Sequence, residues 1–129
     1  IAQNADRIYA LTAGGNGGIF QAAAKAGVLA IGFDVNQCPE APGAVLDSAL
    51  LKFDVVVPEL VSRALANSAE NVVDFGLEMN GLGLVGMDSA AVDSQCEIVN
   101  FPPQVIETLG DFRAKIASGE IVVPDPLNP

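Results

Sequence analysis

Gly14, Gly15, Gly17 and Gly18 fall in one short stretch, AGGNGG, and a carboxylate, Asp34, follows at the end of the next apolar run. A turn so rich in glycine lets backbone N–H groups come close to a ligand. A carboxylate accepts hydrogen bonds from hydroxyl or amine groups. Lys52, one of only six basic residues, closes a further apolar run, VLDSALLK. An Asp and a Lys on one rim can grip a polar ligand, and each favours the charged form of the other. The chain has no histidine. That removes the commonest general base, most zinc sites, and the Ser-His-Asp and Cys-His arrangements. Glu78, Asp88 and Asp93 are scattered, and no calcium-binding loop pattern surrounds them. These residues offer a ligand-binding rim, and no catalytic residue or metal site is assigned among them.

The elements that would carry these residues are legible. Arg7–Thr12 reads as a strand, Asn16 or Gly17 opens a helix through Lys25, and Gly27 ends it. Val28–Phe33 reads as a buried strand and Asp34–Gly43, DVNQCPEAPG, as a loop. Ala44–Leu51 is a third strand. Apolar residues at helical spacing (Val57, Leu60, Val61, Leu65) predict a helix over Phe53–Asn67, with Pro58 in its first turn. Asn71–Glu78 and Leu82–Gly86 read as strands around an Asn80-Gly81 hairpin turn. Met87–Phe101 is an irregular connection. Pro102–Ser118 is a helix ended by Gly119, and Glu120–Pro124 a last short strand. The apolar positions of both later helices are expected in the core. Strands alternating with helices predict an α/β fold, a mostly parallel sheet with helices on both faces. Such sheets bind ligands outside the carboxyl ends of their strands. Gly14, Asp34 and Lys52 would all stand on that edge.

Composition narrows the partners. The chain has 129 residues, half of them hydrophobic, and a formal net charge of -10. That length suits one domain with its own core. The acidity makes nucleic acid and anionic membrane surfaces unsuitable partners, because both need clustered Lys and Arg. No apolar run reaches the roughly 18 residues of a membrane span. Two cysteines, Cys38 and Cys96, are too few for a zinc motif. One disulfide or two thiols are both open, since spacing does not fix pairing. The chain starts at Ile1 without a methionine or signal peptide, which is expected of a processed or truncated product.

The glycine turn fits no phosphate motif fully. No Gly-Lys-Ser/Thr follows, so it is not a P-loop. If Gly15 and Gly17 begin a dinucleotide fingerprint, Phe20 stands where the third glycine belongs. The acidic residue after the second strand keeps a Rossmann-like NAD-dependent enzyme fragment as an alternative. A ligand-sensing regulatory protein on the same fold is another.

Longer motifs point elsewhere. IYALTAGGNGGIFQAAAKAGVLAIGFDVNQ resembles the segment IFxAAGGTGxGxxEAAKxxGxxAIGVDxDQ of the basic membrane lipoproteins, among them PnrA-type purine nucleoside receptors. VLDSALLKFDVVV is similar to VLTSxxKRVDxAV, NVVDFGLEMNGLGLVGMD to xxxYGLxxGGVGLAxxD, and IASGEIVVP to IxxGEIxVP. The four motifs run in order over essentially the whole chain. The resemblance implies a type I periplasmic-binding-protein fold, with residues 1–129 as a single domain forming the C-terminal lobe of two. The N-terminal lobe and the first strand of the second lobe would be missing. It implies an extracytoplasmic solute-binding component of an ABC importer, a lipoprotein at the membrane, which binds purine nucleosides without a cofactor and hands them to ABC permease subunits. The family's glycine contact falls on Gly14 (or Gly15), its ribose-binding aspartate on Asp34 and its ligand-binding lysine on Lys52. This chain departs from the pattern at Asn36, Cys38, Phe53 and Asn80.

Overall fold

Short, mostly apolar runs form the strands, and an alanine-rich run between the first two forms the first helix. The computed structural model describes residues 4–68, 72–88 and 91–124. Strand β1 is Arg7–Tyr9, helix α1 is Asn16–Ala26, β2 is Leu29–Asp34 and β3 is Val45–Leu51. Helix α2 follows at Phe53–Leu65, β4 at Leu82–Leu84 and helix α3 at Pro103–Ala117. Single 3-10 turns lie between them. The four strands form one sheet in the order β1-β2-β3-β4, and β1, β2 and β3 run parallel. Tyr9 pairs with Ile31, and Asp34 with Leu50. The register slips once: Ala30 faces Val45 and Ile31 faces Asp47, leaving Leu46 as the extra residue. The α/β class and the mostly parallel sheet agree with the sequence reading.

Two compact units divide the chain. One comprises Ile1–Leu51 and Gly83–Pro102, the other Lys52–Leu82 and Pro103–Pro129. In the first unit α1 packs on β2. Its alanines favour the helix and allow a close approach to the sheet. Phe20 and Ala23 on α1 and Ala30 and Val45 on the strands are fully buried. Burial of Phe20 alone contributes about 2–3 kcal/mol. Gly27 ends α1 in the left-handed region (φ 66°), which glycine adopts without steric cost. Val28 N–H then donates to Ala23 O at 3.1 Å.

In the second unit, neither α2 nor α3 has a buried residue. This corrects the expectation that their apolar positions are core. Val57, Val61 and Leu65 are 51%, 54% and 84% exposed. Pro58 sits at the sixth position of α2 rather than in its first turn. Its ring nitrogen has no hydrogen to offer the carbonyl one turn back, at Asp54.

Two expected strand features do not form. Residues 72–76 are irregular, so no hairpin surrounds Asn80-Gly81; Asn71, where the first strand was expected to begin, lies outside the described residues. Instead Glu78 Oε1 accepts the Gly76 N–H at 3.3 Å, taking a donor that a ladder would need. Asn80, at φ 55°, closes a turn back to Leu77 O at 3.1 Å. No strand forms over residues 120–124 either. Gly119 turns left-handed at φ 77°, and Ile121 N–H donates back to Lys115 O at 3.0 Å, capping α3.

Candidate functional site

The parallel arrangement of β1 and β2 decides where the first two candidate residues stand. Both strands end at the same edge of the sheet, so the turn after β1 and the loop after β2 are neighbours. Gly14 lies in a 3-10 turn over Ala13–Gly15 that leads straight into α1. It is exposed, and a Cβ placed on it would meet nothing within 4 Å. Gly15 differs, because a Cβ there would lie 2.8 Å from Thr12 Oγ1. Of these two, Gly14 is thus the one open to approach, and Gly15 the one that the turn requires.

Asp34 is the last residue of β2 and is exposed. Its φ of 84° places it in the left-handed region. That conformation costs a non-glycine residue roughly 1–2 kcal/mol, less for Asp than for most. Its carboxylate makes no hydrogen bond or ion pair with the described residues. The Asx-turn of this loop belongs to Asn36 instead, whose Oδ1 accepts the Cys38 N–H at 3.0 Å.

The backbone on both sides of Asp34 is held. Phe33 N–H donates to Gln37 Oε1 at 3.1 Å. Buried Ser48, on β3, donates its hydroxyl to Val35 O at 2.6 Å. Asn36 Nδ2 donates to Ser94 O at 3.1 Å. Cys38 and Cys96, both buried, are joined in a disulfide, so the choice between one bridge and two thiols falls to the bridge. The Asp34 loop is tied to the 94–96 segment at two points.

Lys52 begins the second unit. It precedes α2, and its carbonyl accepts the N–H groups of Val55 and Val56, each at 2.9 Å. Its own N–H donates to Gly81 O at 2.9 Å. The structure therefore brings Gly14 and Asp34 to one edge of the first unit and places Lys52 in the other.

Sequence reasoning missed three polar residues. Asn16 is 2% exposed and Ser48 fully buried, and both hold the loops that carry the site. The lone Asn inside a glycine turn was the available signal for the first. The third is Asp47, 3% exposed on β3. Its Oδ1 accepts the N–H groups of Ser48 at 2.7 Å and Gly86 at 3.0 Å, while its buried Oδ2 has no partner among the described residues. Burial pushes its carboxyl above the usual range, against the pull of the backbone donors Gly86, Ser48 and Val85. A cavity of about 330 Å³ lies in the same unit, lined by Asn36, Leu50, Val85, Asp88, Asp93 and Ser94. Neither Gly14 nor Asp34 lines it. No group of three or more metal-ligating side chains occurs among the described residues.

Comparison with known proteins now adds the family. Curated proteins offer no significant match to the chain. Among solved structures, it is similar to an ABC transporter system solute-binding protein from Aeropyrum pernix K1, at 22% sequence identity and a TM-score of 0.69. That match covers 98% of this chain and 42% of the other. The chain thus spans less than half the length of the protein whose fold it shares. The sequence model of PnrA-like ABC transporter substrate-binding proteins matches residues 1–126. Carrying both the sheet and the sequence pattern over nearly its whole length, the chain belongs to the PnrA-like family of ABC transporter substrate-binding proteins.

Proposed function

We propose that this chain is the C-terminal lobe of an extracytoplasmic receptor that captures a purine nucleoside for an ABC importer. The observation that carries the reading is Asp34. It is an exposed carboxylate with no partner among the described residues, held in a left-handed conformation at the end of a central parallel strand. A carboxylate so placed suits the paired hydroxyls of a ribose. Gly14 would let backbone come close to the nucleoside, and Lys52 would supply a cationic donor. A second lobe would close over the ligand about a hinge, and the permease would recognise the closed form.

The disulfide supports an oxidising, extracytoplasmic compartment. No described helix is long and apolar enough to cross a membrane; the resemblance to basic membrane lipoproteins is what points to a lipid anchor. The NAD alternative is less well served. Phe20 fills the place of the third fingerprint glycine and is fully buried against the sheet. Family membership likewise speaks for binding over hydride transfer, and for a transport role over a sensor.

The test is calorimetry on the protein at its natural length, with adenosine, guanosine, free ribose and NAD as ligands. A nucleoside should bind, and Asp34→Ala should weaken it by about 2 kcal/mol, roughly thirtyfold, as loss of a charged acceptor does. Equal affinity in the variant would reduce Asp34 to a loop residue. NAD binding in place of nucleoside would overturn the reading altogether.

A further inference from the structure

Asn16 and Gln37 form an amide bridge between the two loops that carry Gly14 and Asp34. Asn16 is the first residue of α1 and is almost wholly buried. Every hydrogen-bonding position of its side chain is used. Oδ1 accepts from Thr12 N at 2.9 Å and from Thr12 Oγ1 at 2.8 Å. Nδ2 donates to Ala10 O at 3.2 Å and to Gln37 Oε1 at 2.8 Å. Gln37 Oε1 accepts a second bond, from Phe33 N at 3.1 Å, and its Nε2 donates to Glu40 Oε1 at 3.2 Å.

The two backbone donors at the ends of this chain of bonds fix its direction. Thr12 N–H can only donate, so Asn16 must present its oxygen there and its NH2 to Gln37. Phe33 N–H can only donate, so Gln37 must present its oxygen to both. Each amide has one orientation that satisfies its neighbours. The sheet leaves room for it: a Cβ on Gly32 would lie 2.9 Å from Gln37 Oε1.

We propose that Asn16 and Gln37 are positioning residues, which lock the glycine turn to the Asp34 loop and set both before a ligand arrives. This rests on the reading of Gly14 and Asp34 as ligand contacts. Binding gains when loops need no ordering on association. Asn16→Asp is not a conservative change here, because its second oxygen would face Ala10 O and Gln37 Oε1.

Two measurements test the proposal in the protein at its natural length. The first is hydrogen exchange at the Phe33 amide, whose acceptor is the Gln37 side chain. Gln37 is only half-buried, so Gln37→Ala keeps the fold even where Asn16→Ala does not. In Gln37→Ala, exchange at Phe33 should accelerate roughly tenfold or more. Exchange at Ala30, which donates to Ala44 O at 2.8 Å within the sheet, should not change. Unchanged exchange at Phe33 overturns the clamp. The second is adenosine affinity. Each of Asn16→Ala and Gln37→Ala should weaken binding by roughly tenfold, and by less once Asp34 is already alanine. Loss of equal size in the Asp34→Ala background means a structural role only, and overturns the positioning role. If the unaltered protein binds no nucleoside, the proposed ligand fails, and exchange at Phe33 alone decides whether the two loops are clamped.

Discussion

Reduction of the Cys38–Cys96 bridge should cost this protein much of its stability. The bridge joins residues 58 apart in sequence. Cross-linking a loop of that length removes unfolded-state entropy equivalent to about 4 kcal/mol at 25 °C. The closed loop includes all of residues 52–82, the first of the two segments that make up the second unit. Typical domains have a total stability of only about 5–15 kcal/mol. Both cysteines are buried, and a serine at either would bury a hydroxyl. Reduction is therefore a cleaner perturbation than substitution. The assay is equilibrium urea unfolding, with reductant present throughout in one arm and absent in the other. The reduced arm should lose about 3–5 kcal/mol, and its slope should steepen as the unfolded chain expands. A midpoint and slope unchanged by reduction would show that the bridge does not restrain the unfolded chain, and the loop-entropy argument would fall.

Asp47 should make stability depend on pH in the direction opposite to a salt-bridged carboxylate. Its folded pKa lies above its unfolded value, so its contribution is fully present below the unfolded pKa and is lost as pH rises through the folded one. Asp47→Asn should then match or exceed the wild type in urea midpoint at about pH 7 and lose that advantage by about pH 4; a variant weaker by the same amount at both would contradict the cause assigned to the shift. Gly32→Ala would push a Cβ within 2.6 Å of Ser48 Oγ and should destabilise by about 1–3 kcal/mol in thermal or urea unfolding. Gly14→Ala meets open space and should stay within about 0.5 kcal/mol of wild type, while weakening nucleoside binding. A large stability loss at Gly14 would contradict its assignment as open to approach.

Much of the chain could be read from local signals. Gly27 and Gly119 mark the ends of α1 and α3, and both are left-handed in the structure. The short apolar runs place β1, β2 and β3 within a few residues of their observed bounds. The four ordered motifs point to the family, and the match over residues 1–126 shows it. Local signals failed where a nearby acceptor, a side chain in one case and a helix-end carbonyl in the other, competed with strand pairing. Glu78 takes the Gly76 N–H, and Lys115 O takes the Ile121 N–H, so neither the hairpin nor the last strand forms.

The sequence by itself determined the residue types on offer: a glycine turn, a carboxylate after the second strand, a lysine after the third, and no histidine. It also determined that the sheet would be built from short parallel strands, because apolar runs of that length alternate with a helix. Only the tertiary structure decided that Asn16 reaches Gln37, that Cys38 meets Cys96, and that buried Asp47 accepts the Gly86 N–H. Each of these joins residues far apart along the chain. Spacing sets the face or turn on which a residue stands, but which distant polar groups it meets depends on how strands pair and how loops return. That pairing turns a glycine stretch and a lone aspartate into two neighbouring, fixed loops.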